Sequence, residues 1–273
     1  MTAVTIPIPA PTTTTTKGRS RAAWAVSDSL SVAKRNLIAM TRTPQVLVLS
    51  TIQPIVFVLL FRYVFGGSIH VPGVRYVDFL MAGIFVQTVT FGAMNTGVGL
   101  AEDLQKGLIE RFRSLAMARS AVLAGRAIAD TVRNLFVIVL MIVMGFIVGF
   151  HLHTNVAELA GAVVVLLVFG LAMSWVMALV GLMTRNAEAA QAAAFPLMAL
   201  LVFASDAFVS TRSMPGPLRA YANHQPVSAT VNAVRALVLG GPTLSKVVVA
   251  VAWAAGIVAV FAPIAVRRYR QAA

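Results

Sequence analysis

Residues 100–126, LAEDLQKGLIERFRSLAMARSAVLAGR, form the one long polar interruption between two apolar runs that are each able to span a bilayer. On a helical wheel Leu104, Leu108, Phe112 and Leu115 fall on one stripe, while Glu102, Lys106, Glu110 and Arg113 fall elsewhere, which is the pattern of an amphipathic helix. Arg111 stands at the edge of the apolar stripe. A charged helix held between two spans, on the side where positive charge collects, is placed to lie at the cytoplasmic surface and touch a soluble partner. The competing reading is an ordinary solvated loop helix.

Working outward, composition fixes the class. Hydrophobic residues make up 59% of the 273 and charged residues 11%, with a mean hydropathy of +0.85, whereas soluble domains carry about 25% charged residues. The chain is expected to be an all-α integral membrane protein, because it holds several apolar runs of about 20 residues, enough to cross a hydrocarbon core of about 30 Å. Period-2 alternation is absent, which argues against a β-barrel. The net charge of +13 does not signal nucleic acid, since the basic residues cluster beside apolar spans and act as topology signals. With no cysteine, disulfides, thiolate nucleophiles and Cys metal sites are excluded.

In chain order, residues 1–20 read as a disordered tail, Pro- and Thr-rich and unable to bury enough apolar surface to order itself, and 21–273 as the membrane domain. Over 21–41 the stripe Val26, Leu30, Ala33, Leu37 and Met40, opposite Arg21, Asp28 and Arg35, predicts a helix lying in the membrane interface against anionic lipid headgroups. Six transmembrane helices are expected at about 46–65, 79–100, 127–150, 159–183, 189–208 and 247–266. Pro44 opens the first, and Pro54 inside it frees the carbonyl of Ser50 and predicts a kink. Gly145 and Gly149 at GxxxG spacing allow close helix approach. Asp130 and Arg133, three apart near the inner end of the third span, are able to pair. His151 and His153 lack further metal-ligand types nearby and read as a solvated loop. The remaining acids, Asp78, Glu102, Glu158, Glu188 and Asp206, are likewise placed at span ends.

With both termini cytoplasmic, sixteen of the 22 basic residues fall inside, and Arg62, Arg75, Arg212, Arg219, Arg235 and Lys246 fall outside. Six spans with cytoplasmic ends, in the plasma membrane, therefore satisfy the positive-inside bias. Between the fifth and sixth spans, Val227, Val231, Val234 and Val238 recur at helical spacing and Gly240-Gly241 closes the run. That helix is too short to cross, and with the breaks at Pro215, Pro217 and Asn223–Pro226 it predicts a re-entrant segment in the outer leaflet.

The fragments EDLQKGLIERFRSLAMARSAVLAGR and FVSTRSMPGPLRAYANHQPVSATVNAVRALVLGG resemble the membrane subunits of ABC type-2 exporters, most closely the daunorubicin-resistance permease group of actinobacteria. The resemblance extends over nearly the whole chain after the N-terminal tail. It implies that the polar helix at about 102–118 is a coupling helix docking on an ATP-hydrolysing subunit, through Glu102, Asp103, Gly107, Glu110, Arg111 and Phe112, with Gly125 also matching. Ala116 replaces a proline frequent in relatives, which leaves the end of that helix open. It further implies an extracellular gate at Phe208, Pro215, Asn223, Pro226 and Arg235, with Leu218 and Gly240 matching the same segment. Two copies of the chain would then work with two ATPase subunits, which would hold ATP and Mg; no cofactor is expected on this chain, which is not expected to be an enzyme. Independently, the sequence contains no GxxxxGK[ST] phosphate loop.

Two other functional classes compete with this reading. An ion- or proton-coupled secondary transporter needs ionisable residues at mid-membrane depth, and a membrane enzyme needs a motif such as HExxH or GxSxG, which the chain lacks. The scattered Gln53, Gln87, Asn95 and Ser174 are candidates to line a pathway. So few buried polar groups suit a hydrophobic drug, natural product or lipid-like substrate better than a sugar or ion.

Overall fold

Prolines and glycines mark where the helices begin and end. A computed structural model describes residues 44–66, 73–107, 119–184 and 186–272. Helix α1 is Pro44–Leu59, carries Pro54 within it and runs on into a π-helical turn, Leu60–Phe65. Two helices follow with a single residue between them, α2 (Tyr76–Gly92) and α3 (Met94–Gln105). The long helices α4 (Arg119–Ile147) and α5 (Val156–Thr184) lead to α6 (Ala187–Phe203), whose start is capped by the Asn186 side chain accepting from the Glu188 N–H at 2.8 Å. A 3₁₀ turn (Thr211–Ser213) and the short α7 (Gly216–Asn223) and α8 (Pro226–Leu239) precede α9 (Thr243–Ala272). There are no strands among the described residues.

Four segments are long and apolar enough to cross a membrane: Tyr76–Gln105, Gly125–Ile147, Val156–Thr184 and Thr243–Tyr269. Those four make the chain an all-α, multi-pass membrane protein. The apolar residues Thr51–Val64 and helices α6 and α8 are shorter; at about 1.5 Å per residue, α6 is near the lower limit for a span.

The segment from Tyr76 to Gln105 is the axis of the bundle, 83% buried against 17% for α9. It is surrounded by α1, α4, α5, α6 and α8, and α9 packs on the outside of α5 and α8. Leu80, Met81, Ile84 and Phe85 of α2 meet Ile138 and Met141 of α4 and Phe169 and Met173 of α5 in one core cluster. Lipid is as apolar as these side chains, so cohesion must come from close fit. Small residues supply it. A Cβ on Gly97 would lie 2.5 Å from the Met177 carbonyl oxygen, and one on Gly181 would lie 2.2 Å from that of Gly97, so α3 and α5 touch backbone to backbone. Gly83 leaves the same room for Ala207, whose carbonyl oxygen would be 1.9 Å from an added Cβ.

Several expectations change. The helix over 79–100 is broken at Ala93 rather than continuous. Asp130 and Arg133 are buried inside the bundle, and Arg133 is the central residue of α4. The helix expected to 208 stops at Phe203, because Ser205 turns its hydroxyl back to donate to the Val202 carbonyl at 2.5 Å and the chain leaves the helix there. Gly145 and Gly149 form no shared face, since Gly149 lies beyond the end of α4 with φ +92°. Pro217 does not block helix; it sits in the first turn of α7, where its missing N–H costs nothing. The expected interfacial helix over 21–41 lies outside the described residues.

Candidate functional site

The break between α2 and α3 sets up the site. The Thr96 N–H turns to the Ala93 carbonyl at 3.0 Å instead of reaching the Gly92 carbonyl four residues back. The Gly92 oxygen is thereby freed, and it accepts from Arg133 Nη2 at 2.6 Å and from Asn95 Nδ2 at 3.2 Å. Arg133 Nη1 lies 3.4 Å from Asp130 Oδ1, and the Thr96 hydroxyl donates to Asp130 Oδ2. Both charged residues are buried. A buried pair is tolerable only when its remaining donors and acceptors are also satisfied, and here Gly92 of α2 and Thr96 of α3 contribute to that.

Next to this pair lies a cavity of about 450 Å³. Its polar wall is Gln53 from α1, Gln87 from α2, Asn95 from α3, Arg133 and Asn134 from α4 and Gln191 from α6. Its apolar wall includes Pro54, Val137, Phe91 and Phe195, the last two with ring centroids 6.0 Å apart. The cavity lies level with the middles of two helices: Phe195 is the middle residue of α6, and a Cβ added to Gly170, the middle residue of α5, would come within 3.1 Å of Asn134 Nδ2. Gln87 is 2% exposed, and its Oε1 has no hydrogen-bond partner.

Of the four residues expected to line a pathway, Gln53, Gln87 and Asn95 meet in this cavity and Ser174 does not. Ser174 is buried in α5 and is not among the lining residues. Sequence reasoning missed Arg133, Asn134 and Gln191. Gln191 was visible as a lone amide in an alanine-rich run, and Asn134 as the neighbour of an ion pair.

A second network ties α8 to the rest. Arg235 Nη1 meets Asp206 Oδ2 at 2.8 Å, Nη2 donates to the Asp206 carbonyl at 2.9 Å and approaches that of Phe79 at 3.5 Å, and the guanidinium lies 3.6 Å from the Phe79 ring centroid. Asp206 is held in turn by the Ser228 hydroxyl, which accepts from its N–H at 3.0 Å. Phe208 is buried and stacks on Phe61 at 4.6 Å. Pro215, Asn223 and Pro226 do not join them: they mark the boundaries of α7 and α8, with Pro215 and Asn223 exposed. At the same end Asp78, fully buried, accepts from Arg75 Nε at 2.9 Å and from the His151 N–H at 2.9 Å, so the backbone of the histidine loop is fastened to the bundle while both histidine side chains are exposed.

At the opposite end Glu102 and Asp103 belong to the last turn of α3, which stops before Gly107 at φ +64°. The helix boundary therefore falls within the stretch expected to be one coupling helix from 102, because only glycine readily takes the left-handed conformation that ends α3. Asp103 pairs with Arg126 of α4 at 2.5 Å and Glu102 with Lys106 at 3.1 Å. Glu110, Arg111 and Phe112 lie outside the described residues.

Residues 29–239 match the family described as ABC-2 type transporter. The chain belongs to the ABC-2 type transporter family. Its relatives in that family are permeases by name. It is 32% identical over 249 residues to the daunorubicin resistance ABC transporter permease protein DrrB1 of Streptomyces coeruleorubidus, covering 91% of this chain and 88% of that one. It is 27% identical over 255 residues to the probable doxorubicin resistance ABC transporter permease protein DrrC of Mycobacterium tuberculosis, covering 90% of each. A putative transport permease, ycf38, of Porphyra purpurea matches over 142 residues at 25% identity, about half of each chain. The ABC-2 chain is thus similar to whole permeases, with the cavity and the Arg235 network both inside the matched region.

Proposed function

We propose that this ABC-2 chain is the membrane-spanning permease of an ATP-driven exporter, moving a hydrophobic drug, natural product or lipid-like molecule out of the cytoplasm or inner leaflet. The observation that carries the reading is the family match over residues 29–239, together with near-full-length similarity to a drug-resistance permease. In this reading α1 and α6 also cross the membrane, giving six spans with both termini cytoplasmic. The α8 end is extracellular and Arg235 holds a cap over the exit. ATP and Mg belong to a separate ATP-binding subunit, which docks at the polar stretch between α3 and α4, and the chain works as a homodimer.

Co-expression with a candidate ATPase subunit tests the docking. The parent chain co-purifies with it and stimulates its hydrolysis. Glu110→Lys, which reverses a charge in the docking stretch, weakens co-purification or uncouples hydrolysis while membrane insertion survives. Assembly and transport at the parent level in Glu110→Lys would return this stretch to a solvated loop.

The buried Asp130–Arg133 pair bears on the ion-coupled alternative, because it puts ionisable groups inside the bundle. Its carboxylate is committed to Arg133 and Thr96, so it lacks the open proton or cation site that a carrier of that kind uses.

A further inference from the structure

At the end of the bundle opposite α8, the last turns of α3 are seated on α5 and α9. Leu100 and Leu104 pack with Ala178 and Leu182 of α5 and with Tyr269 of α9 in a small core of their own. Against α4 the packing of α3 is slight compared with its packing on α5 and α6. A polar contact ties the two together instead. Arg126 Nη1 of α4 donates to Asp103 Oδ2 of α3 at 2.5 Å, across 23 residues of sequence, and the side chains of Arg126 and Asp103 are 19% and 22% exposed. The neighbouring Glu102–Lys106 pair joins one turn of α3 to itself and is 44% and 65% exposed, so solvent screening leaves it little weight.

Gly99 makes room for this contact. A Cβ there would lie 1.7 Å from Arg126 Nη2 and 2.8 Å from its Cζ. A side chain at 99 would therefore push the guanidinium from its place beside Asp103. Glycine weakens a helix interior relative to alanine, and Gly99 stands within α3, where the notch for Arg126 is the contact it serves.

We infer that Asp103, Arg126 and Gly99 form a clamp that fixes the end of α3 against the start of α4. Asp103 and Arg126 are positioning residues: they set the two ends from which the polar stretch between these helices departs, and they do not touch its partner. The resemblance assigns Asp103 to the docking surface, but its carboxylate is committed to Arg126. A segment whose ends are already fixed has less freedom to lose on docking, so the clamp acts on affinity. The partner, an ATP-binding subunit, rests on the export reading; the clamp itself does not.

The chain has no cysteine, so nitroxides attached through Gln105→Cys at the end of α3 and Ile128→Cys on α4, both exposed positions, report the spacing of the two helices. The purified full-length chain is used without any ATPase. Gly99→Ala displaces the guanidinium while leaving every charge in place, and Arg126→Gln serves where Gly99→Ala folds poorly. Both are expected to broaden the distance distribution relative to the parent. Titrated with a purified candidate ATPase subunit, both should bind about tenfold more weakly, the scale of ordering one or two extra side chains at an interface. Stimulated hydrolysis at saturation should still reach the parent level. An unchanged distance distribution in both variants overturns the clamp. Parent-level affinity despite a broadened distribution, or hydrolysis that stays below the parent level at saturation, overturns the positioning role. A parent chain that binds no ATPase overturns the export reading, and the distance measurement still decides the clamp.

Discussion

Arg133 illustrates how a single residue organises its surroundings. It neutralises Asp130 and occupies the carbonyl that the α2–α3 break exposes. Removing one member of a buried pair strands the other, so Arg133→Leu should cost about 3–5 kcal/mol, far more than a surface pair is worth. Thermal unfolding of the purified chain in detergent measures this. The double change Asp130→Leu with Arg133→Leu should be less damaging than Arg133→Leu alone, and a double variant as unstable as the sum of the singles would mean the two do not interact. At this scale the sequence was partly legible. Gln53, Gln87 and Asn95 stand out because amides are rare in apolar runs, and all three line the cavity. Arg133 did not, because counting basic residues for topology treats any arginine near a span boundary as a flank, and only the packed structure reveals its depth. Ser174 misled for the opposite reason: a small hydroxyl in a buried helix face carries no information about a cavity.

Helix α8 was the most legible element. Val227, Val231, Val234 and Val238 repeat at helical spacing, all four are fully buried, and Gly240 at φ +91° ends the helix where the sequence places a stop. The break at Ala93 was illegible by comparison, because it is sustained from another helix by Arg133. Arg235 belongs to this scale, since it fastens α8 to the end of α6 and the start of α2. It spends two nitrogens on three oxygens and lies over an aromatic ring, a geometry the compact ammonium of lysine does not reproduce. Arg235→Ala and Arg235→Lys should both impair transport while the ATPase subunit still co-purifies at the parent level. Loss of ATPase binding in Arg235→Ala, with substrate release unaffected, would remove the cap assignment.

For the whole molecule, topology follows from charge and span number. Single cysteines at Val74 and Thr154, both at the α8 end, should react with an impermeant thiol reagent added to intact cells, and a cysteine at Lys106 should react only after the cells are opened. Reaction at Lys106 in intact cells would invert the assignment of sides. The span count rests on α1 with its π turn, Pro44 to Phe65, and on α6, which is near the short limit. The turn at Ser205 ends α6 early, and the aromatic residues Phe57, Phe61, Phe203 and Phe208 pack against each other at the α8 end.

The source of energy is the central claim, and it is directly measurable. Inside-out vesicles containing the chain and a co-expressed ATP-binding subunit are loaded with a fluorescent hydrophobic compound, and uptake is followed after ATP is added or after a proton gradient is imposed. The account predicts accumulation that requires ATP and the second subunit and continues when the gradient is collapsed. Accumulation driven by the gradient alone, with neither ATP nor the second subunit present, would contradict it.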